Sequence, residues 1–445
     1  MYNLAIIGGG PAGYIAAEKA SKAGLSVVLF EKESVGGTCL NVGCIPTKTL
    51  LYSAKQYYNA THADKYGISA ENVAFDYTKI VQRKTKIVRK LVAGIKAKLK
   101  DCTLVTGSAT VTDYTPEKVT ISCAEQTYEA ANLLICTGSN NFVPPIPGIQ
   151  DNPAVWSSTE ALAATELPAS VAIIGGGVIG MEFATLYMEL GVPVTVIEAL
   201  PSILPNIDSE VAGLLRAKYE KAGITFLTSA RVQELEGNTI RYQRADATEP
   251  ETLQADKILV CVGRRANLQG LENLTDLQTS RGTILVNEHM QTNLPNVFAA
   301  GDVTGKIMLA HVASRQAEVA VNHLLGHADE MQYNAVPSVV YTNPEIASVG
   351  LAEDPENQSL LIRKLPMTFS GRFMAENEGE TGLCKLVLDA ETEQILGAHL
   401  FGNPASEFIA SAAMAIEKGL TVSDMERIIF PHPTVSEILK EVCLS

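Results

Sequence analysis

An α/β fold with two Rossmann-like domains and a C-terminal α+β domain is predicted by three observations. A strand, a glycine-rich turn and a helical stretch occur together twice. Short apolar strands ending at glycine run through the middle of the chain, and strand alternation replaces that pattern after about residue 335. Residues Ala5 to Gly10 read AIIGGG, and so do Ala172 to Gly177. Both copies continue into Gly-x-Gly-x-x-Gly, as Gly8, Gly10 and Gly13 and as Gly175, Gly177 and Gly180. Each then passes through a helical stretch into a second apolar strand, which ends at Glu31 in one copy and at Glu198 in the other.

The pattern has the chemistry of a dinucleotide site. The first glycine allows the tight turn, the second lets backbone approach a pyrophosphate, and the third lets helix and strand pack closely. The phosphates then meet the positive end of the helix, and the acid closing the next strand accepts from a ribose hydroxyl. Repetition makes chance a poor explanation and implies two dinucleotides. After Glu198 come Ala199 and Leu200, and no Lys or Arg appears before Arg216. A ribose 2′-phosphate would meet an anion there, which favours NAD over NADP.

Leu133 to Ser139 and Ile258 to Gly263 are the short strands of the middle region. The segment Asn141 to Pro153, with four prolines, is a natural crossing between domains. The expected order is a first dinucleotide domain over 1–142, a second over 143–264, a segment completing the first over 265–334, and a C-terminal domain over 335–445. The alternating runs Lys385 to Asp389 and Ile395 to Leu400 predict antiparallel sheet with helices on it.

Composition narrows the function classes. The chain has 445 residues, enough for several cores, and a net charge of −14 argues against a general nucleic-acid binder. One basic run, Arg83 to Lys100, carries eight cations and no acid. Its apolar residues recur at helical spacing, so it reads as a surface helix with a solvated basic face. No stretch has the length and apolarity of a membrane span, and Met1 to Ala17 does not fit a signal peptide. A cytoplasmic location is expected, and eight cysteines are too few for a disulfide-stapled secreted domain.

Two of those cysteines stand apart. Cys39 and Cys44 lie five apart in Gly36-Gly37-Thr38-Cys39-Leu40-Asn41-Val42-Gly43-Cys44-Ile45-Pro46-Thr47-Lys48, just after the strand ending at Glu31. Five residues of regular helix rise about 7.5 Å, whereas a disulfide needs Cα atoms roughly 4.4 to 6.8 Å apart. If the two bridge, the turn between them must be distorted, and Gly43 makes that cheap. Cys102, Cys123, Cys136, Cys261, Cys384 and Cys443 have no such context.

The cysteine segment, the duplicated GGGxxG units, Ala300-Gly301-Asp302-Val303, Met308-Leu309-Ala310-His311 and His432-Pro433-Thr434-Val435-Ser436-Glu437 together resemble the two-cysteine flavoprotein disulfide reductases, a class of pyridine nucleotide-disulfide oxidoreductases. The resemblance spans nearly the whole chain. It implies FAD at the first glycine turn, NAD at the second, a redox-active Cys39–Cys44 pair, and a homodimer built on the C-terminal domain. By the same analogy Glu31 takes the adenosine ribose and Asp302 the flavin ribityl chain. Thr38, Ala109 and the Thr137-Gly138-Ser139 turn line the FAD pocket, and Met308 to His311 open a helix beside the ring system. Val232 and Gly263 flank NAD. Lys48 sits at the flavin N5 edge, paired with Glu182 of the second glycine helix.

A dithiol substrate also needs a base, because a free thiol is mostly protonated at neutral pH. An imidazole held by a carboxylate serves that purpose. With Pro433 at a plausible helix start, Glu437 lies about one turn in and can reach back to His432. In the family this His arrives from the opposite subunit. The implied reaction is oxidation of protein-bound dihydrolipoamide, with hydride passed to NAD+. Its implied partner is the lipoyl-bearing domain of a 2-oxoacid dehydrogenase or glycine cleavage complex. Reductases of the glutathione type would want a basic clamp after the second glycine turn, and those of the mercuric type a C-terminal cysteine pair where only Cys443 stands. A docking subunit with diaphorase activity is a further alternative. One departure is Phe430, two residues before His432, where the family commonly has a second His.

Overall fold

The computed structural model describes residues 1–445, which fall into two compact units, each built from three stretches of chain. The first unit comprises 1–49, 78–142 and 263–332; the second comprises 50–77, 143–262 and 333–445.

In the first unit, β1 (Tyr2–Ile7) lies between β2 (Val27–Glu31) and a later strand, and β2 in turn pairs with β3 (Thr103–Thr106), all in parallel. An antiparallel meander follows, β4 (Thr110–Thr115), β5 (Lys118–Cys123) and β6 (Gln126–Ile135), and β6 is the strand that flanks β1. The strand Val297–Ala299 adds to the far side of β6. β1 and β2 are almost continuously apolar because both faces of a parallel sheet are covered. Helix α1 (Pro11–Lys22) starts at the first glycine turn with Pro at its first position, where a missing N–H costs nothing. A short pair, β7 (Ser139–Asn141) with Arg264–Ala266, joins antiparallel where the chain leaves and re-enters this unit.

Helix α2 (Gly37–Val42) and helix α3 (Cys44–Thr61) carry the cysteine segment. Helix α4 (Tyr77–Lys98) contains most of the basic run. None of its residues is fully buried, as a solvated surface helix requires.

The second unit repeats the first plan and then departs from it. Its parallel sheet runs β11 (Thr225–Leu227), β10 (Val194–Ile197), β9 (Val171–Ile174), β15 (Lys257–Val260), β8 (Val155–Trp156), with the antiparallel ribbon β12 (Ala230–Glu236), β13 (Thr239–Arg244), β14 (Glu251–Gln254) beside it. After α5 (Ser158–Ala163), α6 (Val178–Glu189) is the counterpart of α1, and α7 (Ser209–Lys221) follows. The rest of the unit is a five-stranded antiparallel sheet, Ser338–Val340, Ile346–Gly350, Ile395–Phe401, Leu383–Asp389 and Leu360–Leu365, packed by Ala405–Glu417 and Ile438–Leu444. Two Rossmann-like folds and a C-terminal α+β domain are thus present, as the sequence predicts.

Period-two alternation ordinarily marks one solvated face, yet Leu383–Asp389 is buried on both. Lys385 is 1% exposed, and its ammonium pairs with Asp208, Glu210 and Glu353 at 3.0, 2.7 and 2.7 Å. Burial alone would lower its pKa, but these carboxylates raise it above the ordinary lysine range.

A second buried charge sits at the end of α6. Burial pushes the Glu189 carboxyl up to about 7, with Asn343 Nδ2 donating to it at 2.7 Å and the Lys55 charge opposing the rise. A carboxyl whose folded pKa is raised contributes stability that is fully present below its unfolded pKa and lost as pH climbs through the folded one. Glu189→Gln is therefore expected to exceed the parent chain in stability above pH 7 by roughly 2–3 kcal/mol. Near pH 4.5 the advantage should vanish, and urea melts at the two pH values measure it.

Candidate functional site

The two glycine turns are built alike. A Cβ at Gly13 would lie 1.8 Å from the Gly8 carbonyl oxygen, and one at Gly180 would lie 2.1 Å from that of Gly175, so each helix can approach its strand only at glycine. Neither Gly10 nor Gly177, the residues preceding α1 and α6, caps its helix with a side chain, which leaves N–H groups facing outward. A Cβ at Gly177 would meet nothing within 4 Å, and at Gly10 only Gly37, at 3.8 Å. Glu31 Oε2 accepts from Gly9 N at 2.7 Å, and Glu198 Oε2 from Gly176 N at 2.7 Å. Their other oxygens accept from Glu33 N and Leu200 N, each at 2.8 Å. Each carboxylate retains lone pairs for a ribose hydroxyl. Open helix ends above a fixed carboxylate fit a dinucleotide's pyrophosphate and ribose.

Beside the first turn lies the cysteine segment. Gly36 N donates to Gly9 O at 2.7 Å, and a Cβ on Gly37 would come 2.6 Å from Gly10 Cα. Backbone therefore touches backbone where α2 begins. Asn41 Nδ2 donates to the carbonyls of Ser34, Val35 and Gly37 and holds the segment closed. Cys39 and Cys44 form a disulfide with Cα atoms 4.6 Å apart. Helix α2 ends at Val42, Gly43 interrupts it, and α3 starts at Cys44, which is the distortion a bridge at this spacing demands. Gly43 is needed on contact grounds as well, since a Cβ there would lie 2.9 Å from the Thr38 carbonyl oxygen. The other six cysteines are free thiols. Burial pushes Cys443 up to about 11 and Cys261 up to about 12, and Cys136 and Cys384 well above the ordinary thiol range. They are poor nucleophiles.

Further residues gather in the same unit. Lys48 stands one turn after Cys44 on α3, and Thr38 is on α2. Cys136 N donates to Ile7 O at 2.8 Å, which sets the Thr137-Gly138-Ser139 turn at the end of β6, next to the glycine turn. Ser139 Oγ donates to Asp302 Oδ2. Ala109 is buried at the entry to β4, and Val111 N donates to Gly270 O nearby. Leu309 precedes the helix Ala310–Leu324 without a side-chain cap; Met308 is partly buried there and His311 exposed.

In the second unit, buried Glu182 is on α6 and accepts from Tyr341 N at 3.2 Å. Val232 lies at a bulge in β12, while Gly263 belongs to the first unit, where its carbonyl accepts from Phe142 N. His432 and Glu437 meet: His432 Nδ1 is 2.9 Å from Glu437 Oε1, and Glu437 Oε2 accepts from Thr434 N at 2.7 Å. Pro433 does not open the helix. The His432–Pro433 peptide is cis, and Thr434 is the cap of the single turn Val435–Glu437. Those bonds, from Thr434 N first and from His432 second, hold Glu437 below the usual carboxylate range. An ionised carboxylate only accepts, so Nδ1 carries the proton and Nε2 keeps its lone pair. The His432 side chain is 80% exposed and faces away from its own unit's core. Phe430 packs against that core.

An accessible disulfide wedged against a dinucleotide turn, a second such turn and an oriented imidazole define a nucleotide-dependent thiol–disulfide oxidoreductase. Residues 2–317 match the pyridine nucleotide-disulphide oxidoreductase family, and residues 336–443 match its dimerisation domain. The chain is 39% identical to a dihydrolipoyl dehydrogenase of Mycoplasma pneumoniae, covering 99% of this chain and 98% of that one. It is 37% identical to one of Geobacillus stearothermophilus over 98% and 94%. Among solved structures, LpdA from Mycobacterium tuberculosis superposes with a TM-score of 0.90 at 26% identity, covering 99% of each chain. The HOCl-induced flavoprotein disulfide reductase RclA from Escherichia coli does so at 0.86 and 29%, covering 100% of this chain and 99% of that one. The chain belongs to the pyridine nucleotide-disulphide oxidoreductase family. It is an oxidoreductase that uses FAD and NAD(H).

The sequence assigns no role to Arg264, Asn267 or Gln316. Arg264 donates three bonds around Ser139 and Asn141, Asn267 O accepts from Thr137 Oγ1, and Gln316 Oε1 accepts from Gly301 N beside Asp302. Arg264, only half-buried, stands in Gly263-Arg264-Arg265, and no periodicity distinguishes such a polar partner.

Two changes test this local geometry. Gly43→Ala should drive the Cys39 and Cys44 turns apart, and thiol titration of the oxidised protein would then count two more reactive thiols than in the parent. Glu437→Gln places an amide where two N–H donors need acceptors, so dithiol oxidation should fall about tenfold or more with bound flavin unchanged.

Proposed function

We infer that this chain is a dihydrolipoyl dehydrogenase, oxidising protein-bound dihydrolipoamide to lipoamide and reducing NAD+ to NADH. The carrying observation is the Cys39–Cys44 disulfide held against the first glycine turn. Dihydrolipoyl dehydrogenases at 37–39% identity over almost the whole chain support the substrate. The Glu198 carboxylate, with no cation before Arg216, supports NAD over NADP.

In this reading His432 Nε2 removes a proton from one substrate thiol. The thiolate attacks Cys39 sulfur, the Cys39–Cys44 bond breaks, and Cys44 leaves as a thiolate. The second substrate thiol, deprotonated in turn, displaces Cys39 from the mixed disulfide. Lipoamide then departs with its sulfurs joined, and the enzyme holds two thiols and two more electrons. Bound FAD supplies the two-electron chemistry that links this dithiol to NAD+. Gly8, Gly10, Gly13, Glu31, Thr38, Lys48, Ala109, Thr137 to Ser139, Asp302 and Met308 to His311 would hold it, and Lys48 would supply a positive charge to it. Gly175, Gly177, Gly180, Glu198, Val232 and Gly263 hold NAD, and Glu182 stands on the same glycine helix. The exposed His432 serves the partner subunit of a homodimer. The dithiol comes from a lipoyl-bearing domain of a 2-oxoacid dehydrogenase or glycine cleavage complex, in a reducing cytoplasm where the six other thiols stay free.

Cys44→Ser is expected to abolish dihydrolipoamide oxidation and leave the protein yellow, and His432→Gln to slow it about 10²- to 10⁴-fold. Steady-state rates with dihydrolipoamide, glutathione disulfide and Hg(II), each with NAD(H) and NADP(H), test the reading directly. A preference for glutathione disulfide with NADPH, or full lipoamide turnover by Cys44→Ser, refutes it.

A further inference from the structure

We propose that Arg264 and Ser139 are positioning residues for FAD, forming a relay that fixes the Asp302 carboxylate. The inference rests on the assignment of Asp302 to the flavin made above. Arg264 Nε donates to Ser139 Oγ at 2.7 Å, its Nη2 to Ser139 O at 2.7 Å, and its Nη1 to Asn141 Oδ1 at 2.6 Å. The direction of the next bond is forced. A guanidinium can only donate and a carboxylate only accept, so the single Ser139 hydroxyl proton must point at Asp302 Oδ2.

Charge runs along the same line. Burial works against the Arg264 cation, and Asp302 is the charge that offsets it, so the two are counter-ions joined through one buried hydroxyl. From the other side Gln316, fully buried, accepts from Gly301 N at 2.7 Å and pins the backbone immediately before Asp302. With backbone and Oδ2 both fixed, Oδ1 is presented in one orientation to a hydroxyl of the cofactor. A group oriented before binding loses less freedom on binding.

The relay also has a definite place in the chain. Ser139 and Arg264 lie on the two strands at which the chain leaves the first unit and returns to it, and those strands pair antiparallel, with Arg265 stacked 3.9 Å over Phe142. Asp302 is thereby tied to the covalent connection of the unit that carries it.

The test is a double-mutant cycle on FAD affinity, read as the dissociation constant of the flavin-stripped protein from flavin fluorescence. Ser139→Ala, which removes one hydroxyl and leaves the ribbon intact, Arg264→Met and Asp302→Asn should each weaken FAD about tenfold, the loss of one charge-assisted hydrogen bond. Combining Asp302→Asn with either of the others should weaken it no further than Asp302→Asn alone, within about twofold. Arg264→Lys, which keeps the charge without the fork, should fall between parent and Met variant. If the losses multiply in the doubles while the parent binds FAD, Arg264 and Ser139 merely brace the ribbon and the relay is wrong. If the parent protein binds no FAD, the flavin reading beneath it falls as well. Thermal melts of Ser139→Ala establish folding; a folded variant with parental affinity overturns the relay.

Discussion

Backbone contact between Gly10 and Gly37 is the constraint on which the rest of the first unit depends. Helix α2, which carries Cys39 of the disulfide, begins directly against the first glycine turn. The two segments come that close because Gly37 lacks a Cβ, which would otherwise lie 2.6 Å from Gly10 Cα. Gly36 N bonding Gly9 O closes the same approach from the other side. The disulfide then follows from local geometry, because Gly43 breaks the helix between two cysteines that a regular helix would hold apart.

The second unit uses the same turn for a different end. Its glycine helix abuts a strand in the same way, and Glu198 answers Gly176 as Glu31 answers Gly9. No cysteine segment follows, however, and α6 turns its charged side chains inward. Glu182 meets Tyr341 N and Glu189 meets Asn343, so α6 is bolted to the connection between the first two strands of the antiparallel sheet. Lys385 performs a similar service on the other side, where one buried ammonium gathers Asp208 at the start of α7 and Glu353. Such pairs contribute little net stability against apolar substitutes, but they fix which surfaces meet.

Two polar groups are oriented by the same device. His432 is oriented by a carboxylate that is itself held by a backbone N–H. Asp302 is oriented by a hydroxyl that is itself held by a guanidinium. In each case one polar atom is fixed through a second group, which leaves the side chain in a single orientation. The free cysteines show the converse, since burial raises their thiols out of the reactive range.

What the sequence alone determined is local and periodic. The glycine spacings, the apolar strands around them, the acids at Glu31 and Glu198, and the cysteine spacing are all short-range patterns. Turn geometry and helix polarity convert these directly into structure. Tertiary structure alone decided the pairings across long separations. Ser139 meets Arg264 and Asp302, Gln316 reaches Gly301, and Lys385 enters the core because carboxylates from distant segments await it. No sequence periodicity records such contacts, because a buried polar side chain is stable only when its partners arrive with it, and the fold is what brings them together.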